Sequence, residues 1–319
     1  MWLKYGVDEA GTLVNIEDTI RGKTSLKCPY CDSGLTAKKG KIKEHHFAHT
    51  EETCRPVAKR EFPVIPLYDN FNIHLSGKDL GQLKLLWKEY GLKNYSISYE
   101  LIPSSLIKAG LLQKNVYTVP HGYEFTNLAK IPVGGLEFAL FNEVQEPLLL
   151  KKLLKLELTF KHALHKNAPD LAHRLTDLKL YRAQLKRILS CRLYFLEIQT
   201  HIGILYKIGV TERSVEERVS EIEFDLRSHL KDAFAPSHYQ NITIQVLGTW
   251  ANRGNVELYF KHRYRESNYP IGNLTEYYKF NTGDAKTILY DLQKMKTKVL
   301  SNVEIDIPED SKSPILVAV

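Results

Sequence analysis

LYFLEIQTHIGILYKIGVTERSVEER, residues 193–218, holds two short strand-like runs followed by the opening of a helix. The runs Leu193 to Ile198 and Leu205 to Thr211 are rich in aromatic and β-branched residues, as strands are. Ser214 with Glu217 three residues later is a capping box, which starts a helix and sets Arg218 in its first turns. ITIQVLGTW (Ile242 to Trp250) reads as a further strand. After a turn signal comes NVELYFKHRYR (Asn255 to Arg265), a helix whose only acidic residue is Glu257. Strands, an arginine-bearing helix and then a glutamate-bearing helix form the order of parts that a small metal-dependent nuclease needs.

This ordered set resembles the GIY-YIG endonuclease superfamily, over about a third of the chain. Tyr194 stands at the tyrosine of the first half-motif and Lys207-Ile208-Gly209 at the second. The pattern is most similar to the phage and bacterial branch, in which the second half-motif is written Lys-Ile-Gly. There, a Glu-x-x-aromatic-x-His helix (here Glu257, Phe260, His262) precedes a Glu-aromatic-aromatic strand (here Glu276-Tyr277-Tyr278). The chain departs from the superfamily at the second tyrosine, where Lys207 fills the slot and Tyr206 stands one residue earlier. Adjacent strand residues point to opposite faces, so only one of the two can face the site without a bulge. The histidine often found one turn after the arginine is replaced by Ile222, which leaves His229 or His262 to supply such a group.

Phosphodiester hydrolysis needs an attacking water, neutralised phosphoryl oxygens and a stabilised leaving oxygen held in line. On the resemblance, Glu257 would anchor one magnesium ion, or manganese in its place, through hard oxygen ligands. Arg218 would grip the scissile phosphate with its planar fork. Tyr194 would orient or deprotonate the water, with Lys207 or the metal lowering its pKa from roughly 10. Glu257 and Lys261 are also four apart on a helix, the spacing of an ordinary surface ion pair.

Near the N-terminus, Cys28-Pro29-Tyr30-Cys31, His45-His46-Phe47-Ala48-His49 and Cys54 have metal-ligand spacing. Two thiolates from a Cys-x2-Cys knuckle and two more ligands from His46, His49 and Cys54 would complete a tetrahedral zinc site. His49 with Cys54 is the first choice for the second pair, and His46 with His49 the next. Cys-Pro-x-Cys followed by His-Phe-Ala-His resembles the N-terminal zinc finger of competence protein CoiA and related bacterial nucleases. In that family the finger precedes a different nuclease domain, whose acidic motif is not found in this chain. Three of the four cysteines fall in this window, which favours a reducing compartment over a disulfide framework. Cys191, the fourth, reads as a small buried apolar residue.

Between these regions the text is less specific. Asp79 to Tyr90 is an amphipathic helix. SSLIKAGLL (Ser104 to Leu112), VYTV (Val116 to Val119) and YEFTNLAKI (Tyr123 to Ile131) follow, and together resemble the second half of a winged helix. Pro147 to Cys191 reads as two helices divided at Pro169, with a basic face of Lys151, Lys152, Lys155, Lys161, Lys179, Arg182, Lys186 and Arg187 suited to phosphates or to solvent. The tail after Asn302 is acidic and reads as a terminal strand or a frayed end.

The expectation is therefore a modular α+β chain. It comprises a zinc finger at 1–62, a central α/β or winged-helix-like region at 63–145, a helical connector at 146–191, a small nuclease sheet flanked by helices at 192–300, and a tail at 301–319. A formal charge of +7 over 319 residues favours a polyanionic partner, DNA first and RNA as an alternative. No apolar run is long enough for a membrane span and the N-terminus lacks a signal peptide, so the cytoplasm is expected. The expected activity is metal-dependent DNA cleavage leaving 5′-phosphate ends, with structural zinc and catalytic magnesium. The alternative is a non-catalytic nucleic-acid-binding protein on the same fold.

Overall fold

The computed structural model describes residues 2–40, 44–117, 122–231 and 242–310 of a mixed α/β chain. In chain order the elements begin with β1 (Tyr5–Val7), β2 (Leu13–Asn15), β3 (Gly22–Lys27), β4 (Gly34–Lys38), β5 (His46–His49) and the short α1 (Arg55–Ala58). Then come α2 (Gly77–Glu89), α3 (Ser104–Lys108), β6 (Leu112–Asn115), β7 (Gly122–Phe125), α4 (Asn127–Lys130), α5 (Phe138–His165) and α6 (Leu171–Ser190). The chain continues with β8 (Arg192–Thr200), β9 (Gly203–Thr211), α7 (Val215–Lys231), β10 (Thr243–Ala251), α8 (Val256–Arg263), β11 (Tyr277–Tyr278), α9 (Thr282–Gln293) and α10 (Asn302–Asp310). Two compact units result: Met1–Asp69 with Pro147–Arg187 and Val299–Val319, and Asn70–Glu146 with Ile188–Lys298.

In the first unit an antiparallel sheet has the order β2-β1-β3-β4-β5. Leu3, Ile16, Leu26, Leu35 and Phe47 fill its core. The knuckle turn between β3 and β4 is tied to α6, where Tyr30 donates its hydroxyl to Asp177 at 2.6 Å and Thr176 donates to the Pro29 carbonyl at 3.3 Å. The acidic stretch Asn302–Asp310 is helical as α10 and starts on a cap in which Glu304 accepts the Ser301 backbone N–H at 2.9 Å; the rest of the tail, 311–319, lies outside the described residues.

The second unit is built on the sheet β10-β8-β9-β11. β8 and β9 pair antiparallel over their whole length, with Tyr194 opposite Gly209 and Leu196 opposite Lys207. One face carries Tyr194, Leu196, Ile198 and Leu205. Val215, Ile222 and Leu226 of α7 cover it at helical spacing, and each fully buried Leu or Ile of this kind contributes about 1.5–3 kcal/mol. Ser214 caps α7 as expected, with the Glu217 N–H donating to Ser214 Oγ at 3.2 Å. On the opposite face Phe195 stacks on Tyr206, and Phe260 of α8 lies at 6.0 Å from Phe195 and at 5.7 Å from Phe138.

The central segment forms α2, the five-residue α3 and the hairpin β6–β7, packed through Leu83, Leu86, Ile97, Leu106 and Phe125. In that hairpin Leu112 lies opposite Phe125, and Val116 and Tyr117 follow β6 as a turn; Thr118 and Val119 lie outside the described residues. The first connector helix begins at Phe138, not Pro147, and runs through the proline. Proline lacks the N–H that would bond the Glu143 carbonyl and its ring crowds that carbonyl, but Glu143 and Pro147 are both exposed, so the carbonyl is left on the solvent side of the helix. Among the described residues no helix is long and apolar enough to cross a membrane.

Candidate functional site

Three chain segments bring four ligand atoms together in the first unit. Cys28 and Cys31 sit on the tight turn after β3, in which the Cys28 N–H donates to the Ser33 carbonyl at 2.8 Å and Asp32 takes a left-handed φ of 59°. His49 ends β5, and Cys54 stands at the N-cap of α1. The ligand atoms of Cys28, Cys31, His49 and Cys54 all lie within 4.8 Å of one another. Cys28 Sγ is 3.9 Å from Cys54 Sγ, and Cys31 Sγ is 3.3 Å from His49 Nε2. Ligands about 2.3 Å from a tetrahedral zinc stand about 3.8 Å apart, so these spacings fit that ion.

The electrostatics agree with the fit. Burial pushes the Cys28 thiol up, against the lowering by the Tyr30 and Cys31 backbone N–H groups that point at its sulfur. A cation among the sulfurs is what such a buried thiol needs to ionise. His49 turns Nε2 toward the Cys31 sulfur, while its Nδ1 is buried with no hydrogen-bond partner among the described residues. His46 is excluded from the set by strand alternation. It lies three residues from His49 and faces the other way, stacked on Trp2 at 4.3 Å with Nδ1 2.7 Å from the Glu44 carbonyl.

In the second unit Tyr194, Lys207, Arg218 and Glu257 fall into one charged cluster. Arg218, in the first turns of α7, donates to the Glu221 carboxylate at 2.7 Å and lies close enough to the Tyr194 hydroxyl for the two to interact electrostatically. Lys207 is 4% exposed and donates to Glu276 Oε2 at 2.9 Å, with its ammonium 4.8 Å from the centre of the Tyr277 ring. Lys261 donates to Glu276 Oε1 at 2.6 Å and pairs with Glu257 Oε1 at 3.1 Å. Burial alone would raise the Glu276 carboxyl, yet the two ammoniums hold it down at about 2. Burial raises Glu257, against the opposing pull of Lys261, and lowers Lys207, against the pull of Glu276. The Tyr194 phenol is raised by burial despite Arg218, so at neutral pH it is a hydrogen-bond donor and not a resting base.

Two residues expected near this cluster are elsewhere. Tyr206 lies on the opposite face of β9, as alternation requires, and its hydroxyl donates to Glu197 at 3.1 Å. His262 is five residues beyond Glu257 on α8, about 140° round the helix. Its Nε2 lies 3.1 Å from the Ile131 carbonyl, its ring stacks on Phe71 at 4.9 Å, and burial lowers its pKa. The side chain of His229 lies outside the described residues. Glu276 and Lys261 complete the network without having been given a role in it from sequence. The pairing of Tyr277 in β11 with Lys207 brings Glu276 there.

Gly209 keeps the cluster's geometry open. A Cβ there would stand 2.3 Å from the Tyr194 hydroxyl oxygen, closer than any real contact. Gly209→Ala is expected to cost about 1–3 kcal/mol through overpacking. Urea unfolding measures this, and an unchanged midpoint would mean that the tyrosine has room to move.

Residues 14–56 match the family model of the N-terminal domain of competence protein CoiA. All four clustered ligands lie inside that match. No curated protein and no solved structure matches the chain.

Proposed function

We propose that the protein is a metal-dependent DNA endonuclease whose zinc-bearing N-terminal domain helps hold the nucleic acid. The observation that carries this reading is the meeting of Tyr194, Lys207, Arg218 and Glu257 in one charged cluster on β8, β9, α7 and α8. The GIY-YIG-like order of residues 193–280 supports it, as does the net positive charge.

Glu257 and Glu276 offer carboxylate oxygens, the donor type magnesium prefers, in a place the protein already fills with positive charge. A bound divalent ion would neutralise phosphoryl charge and lower the pKa of a coordinated water. Arg218 holds a phosphate oxygen through its guanidinium, and the Tyr194 hydroxyl oxygen accepts a hydrogen bond from the attacking water and orients it. Lys207 contributes positive potential from beneath. Water adds to phosphorus as the P–O3′ bond breaks, giving a 5′-phosphate and a 3′-hydroxyl.

Plasmid incubated with the purified, zinc-loaded protein is expected to be cut when magnesium is added and to stay intact when it is omitted. Omission is preferable to a chelator, which would also strip the zinc. Arg218→Ala is expected to slow cutting by about 10²–10³-fold, the usual effect of removing one oxyanion donor. An undiminished rate would return Arg218 to its ion pair with Glu221 alone. Retention of plasmid on the protein without cutting under any divalent ion would support the non-catalytic binding protein, a reading favoured by the lysine that already neutralises Glu257.

A further inference from the structure

The lysine at Glu257 does more than fill a helix-surface spacing. Lys261 bridges two carboxylates, at 2.6 Å from Glu276 Oε1 and 3.1 Å from Glu257 Oε1. Lys207 takes the remaining oxygen of Glu276 at 2.9 Å. The quartet is neutral, two ammoniums against two carboxylates. Among the described residues Lys261 is the one ion-pair partner of Glu257, whose side chain is 13% exposed. Glu257 and Lys261 are one turn apart on α8, so the helix returns the ammonium to the same carboxylate without a search.

We propose that Lys261 is an internal counterion at the metal site, displaced from Glu257 when a divalent ion arrives and retained by Glu276. This rests on the reading of Glu257 as the metal anchor. The geometry supplies the mechanism. A divalent ion on Glu257 Oε1 and an ammonium at 3.1 Å from the same oxygen would place like charges at contact distance, where they repel strongly in a partly buried setting. Lys261 already has its shorter bond to Glu276, so giving up Glu257 leaves it paired and still hydrogen-bonded. Lys207 remains on the other oxygen of Glu276 and keeps that carboxylate ionised. Glu276 is thus the parking place that lets the lysine move. Lys261 sets how much metal the centre needs and acts as a positioning residue, not a catalytic one.

Manganese affinity, read by electron paramagnetic resonance on the zinc-loaded full chain, tests this without turnover. The difference between native protein and Glu257→Gln defines the site. Lys261→Met removes the charge but keeps the stem, and is expected to bind manganese about tenfold more tightly or better, since one repelling charge is gone. Glu276→Gln has the opposite sign: it strips Lys261 of its second seat and is expected to weaken manganese binding. That variant leaves Glu257 paired, so it remains informative should Lys261→Met fail to fold.

Equal Glu257-dependent binding by the native chain and both variants would overturn the role of Lys261 and leave Glu257 as the anchor. No Glu257-dependent binding in any of them would overturn the anchor, and the counterion role with it. Binding by Lys261→Met alone would also overturn the proposal, because the lysine of the native chain would then hold Glu257 against the metal and not yield to it.

Discussion

Glu257→Gln is expected to abolish magnesium-dependent cutting, by about a thousandfold or more, while DNA binding persists. The substitution keeps the shape of the side chain and removes one negative charge. A Lewis-acid metal supplies several kcal/mol of transition-state stabilisation, and each 1.36 kcal/mol is tenfold in rate. Glutamine offers a weaker, neutral oxygen, while Lys261 still has Glu276 as its partner, so the packing of α8 on the sheet stays in place. Gel-based cleavage and filter binding, run on the same preparation, separate the two quantities. An active Gln variant would remove Glu257 from the chemistry, and a variant that lost DNA binding equally would give it a structural task.

The zinc cluster carries the second large effect. Metal analysis is expected to find one zinc per chain, and Cys28→Ser to lose it. Structural zinc binds with apparent free energies of roughly 10–16 kcal/mol, at least as large as the roughly 5–15 kcal/mol stability of a typical domain. The five-stranded sheet has a small core, and one of its members, Cys28, and one residue packed against it, Cys54, belong to the cluster that could hold the metal. Losing a thiolate therefore leaves a buried hole where the strongest tie had been, and the sheet should melt separately and far earlier than in the native chain. Calorimetry with parallel zinc determination reads this. A Cys28→Ser protein with unchanged melting would show that packing alone holds the sheet.

Much of this architecture is legible in local sequence signals. Residues 193–218 announced β8, β9 and the capped start of α7, because alternation and the Ser214–Glu217 spacing are properties of neighbours in sequence. The same alternation rule separated Tyr206 from Lys207, and applied to β5 it also separates His49 from His46. Long-range pairing was not legible in that way. The two-residue strand β11 has no periodicity of its own, so nothing local revealed that Tyr277 pairs with Lys207 and carries Glu276 to two lysines. The start of α5 was missed for a different reason. Pro147 is a good first residue for a helix, and its exposed position inside a longer one could not be seen until Phe138 and Phe141 were known to be buried.

The hydroxyl of Tyr30 reaches across 147 residues of chain to Asp177. On the ribosome the cysteines and His49 emerge long before that aspartate, so the nascent knuckle has all its candidate ligands early yet must wait for the first two turns of α6 before its tyrosine is satisfied. A fragment ending near residue 62 would repeat that interval permanently, with the phenol uncovered and left facing water.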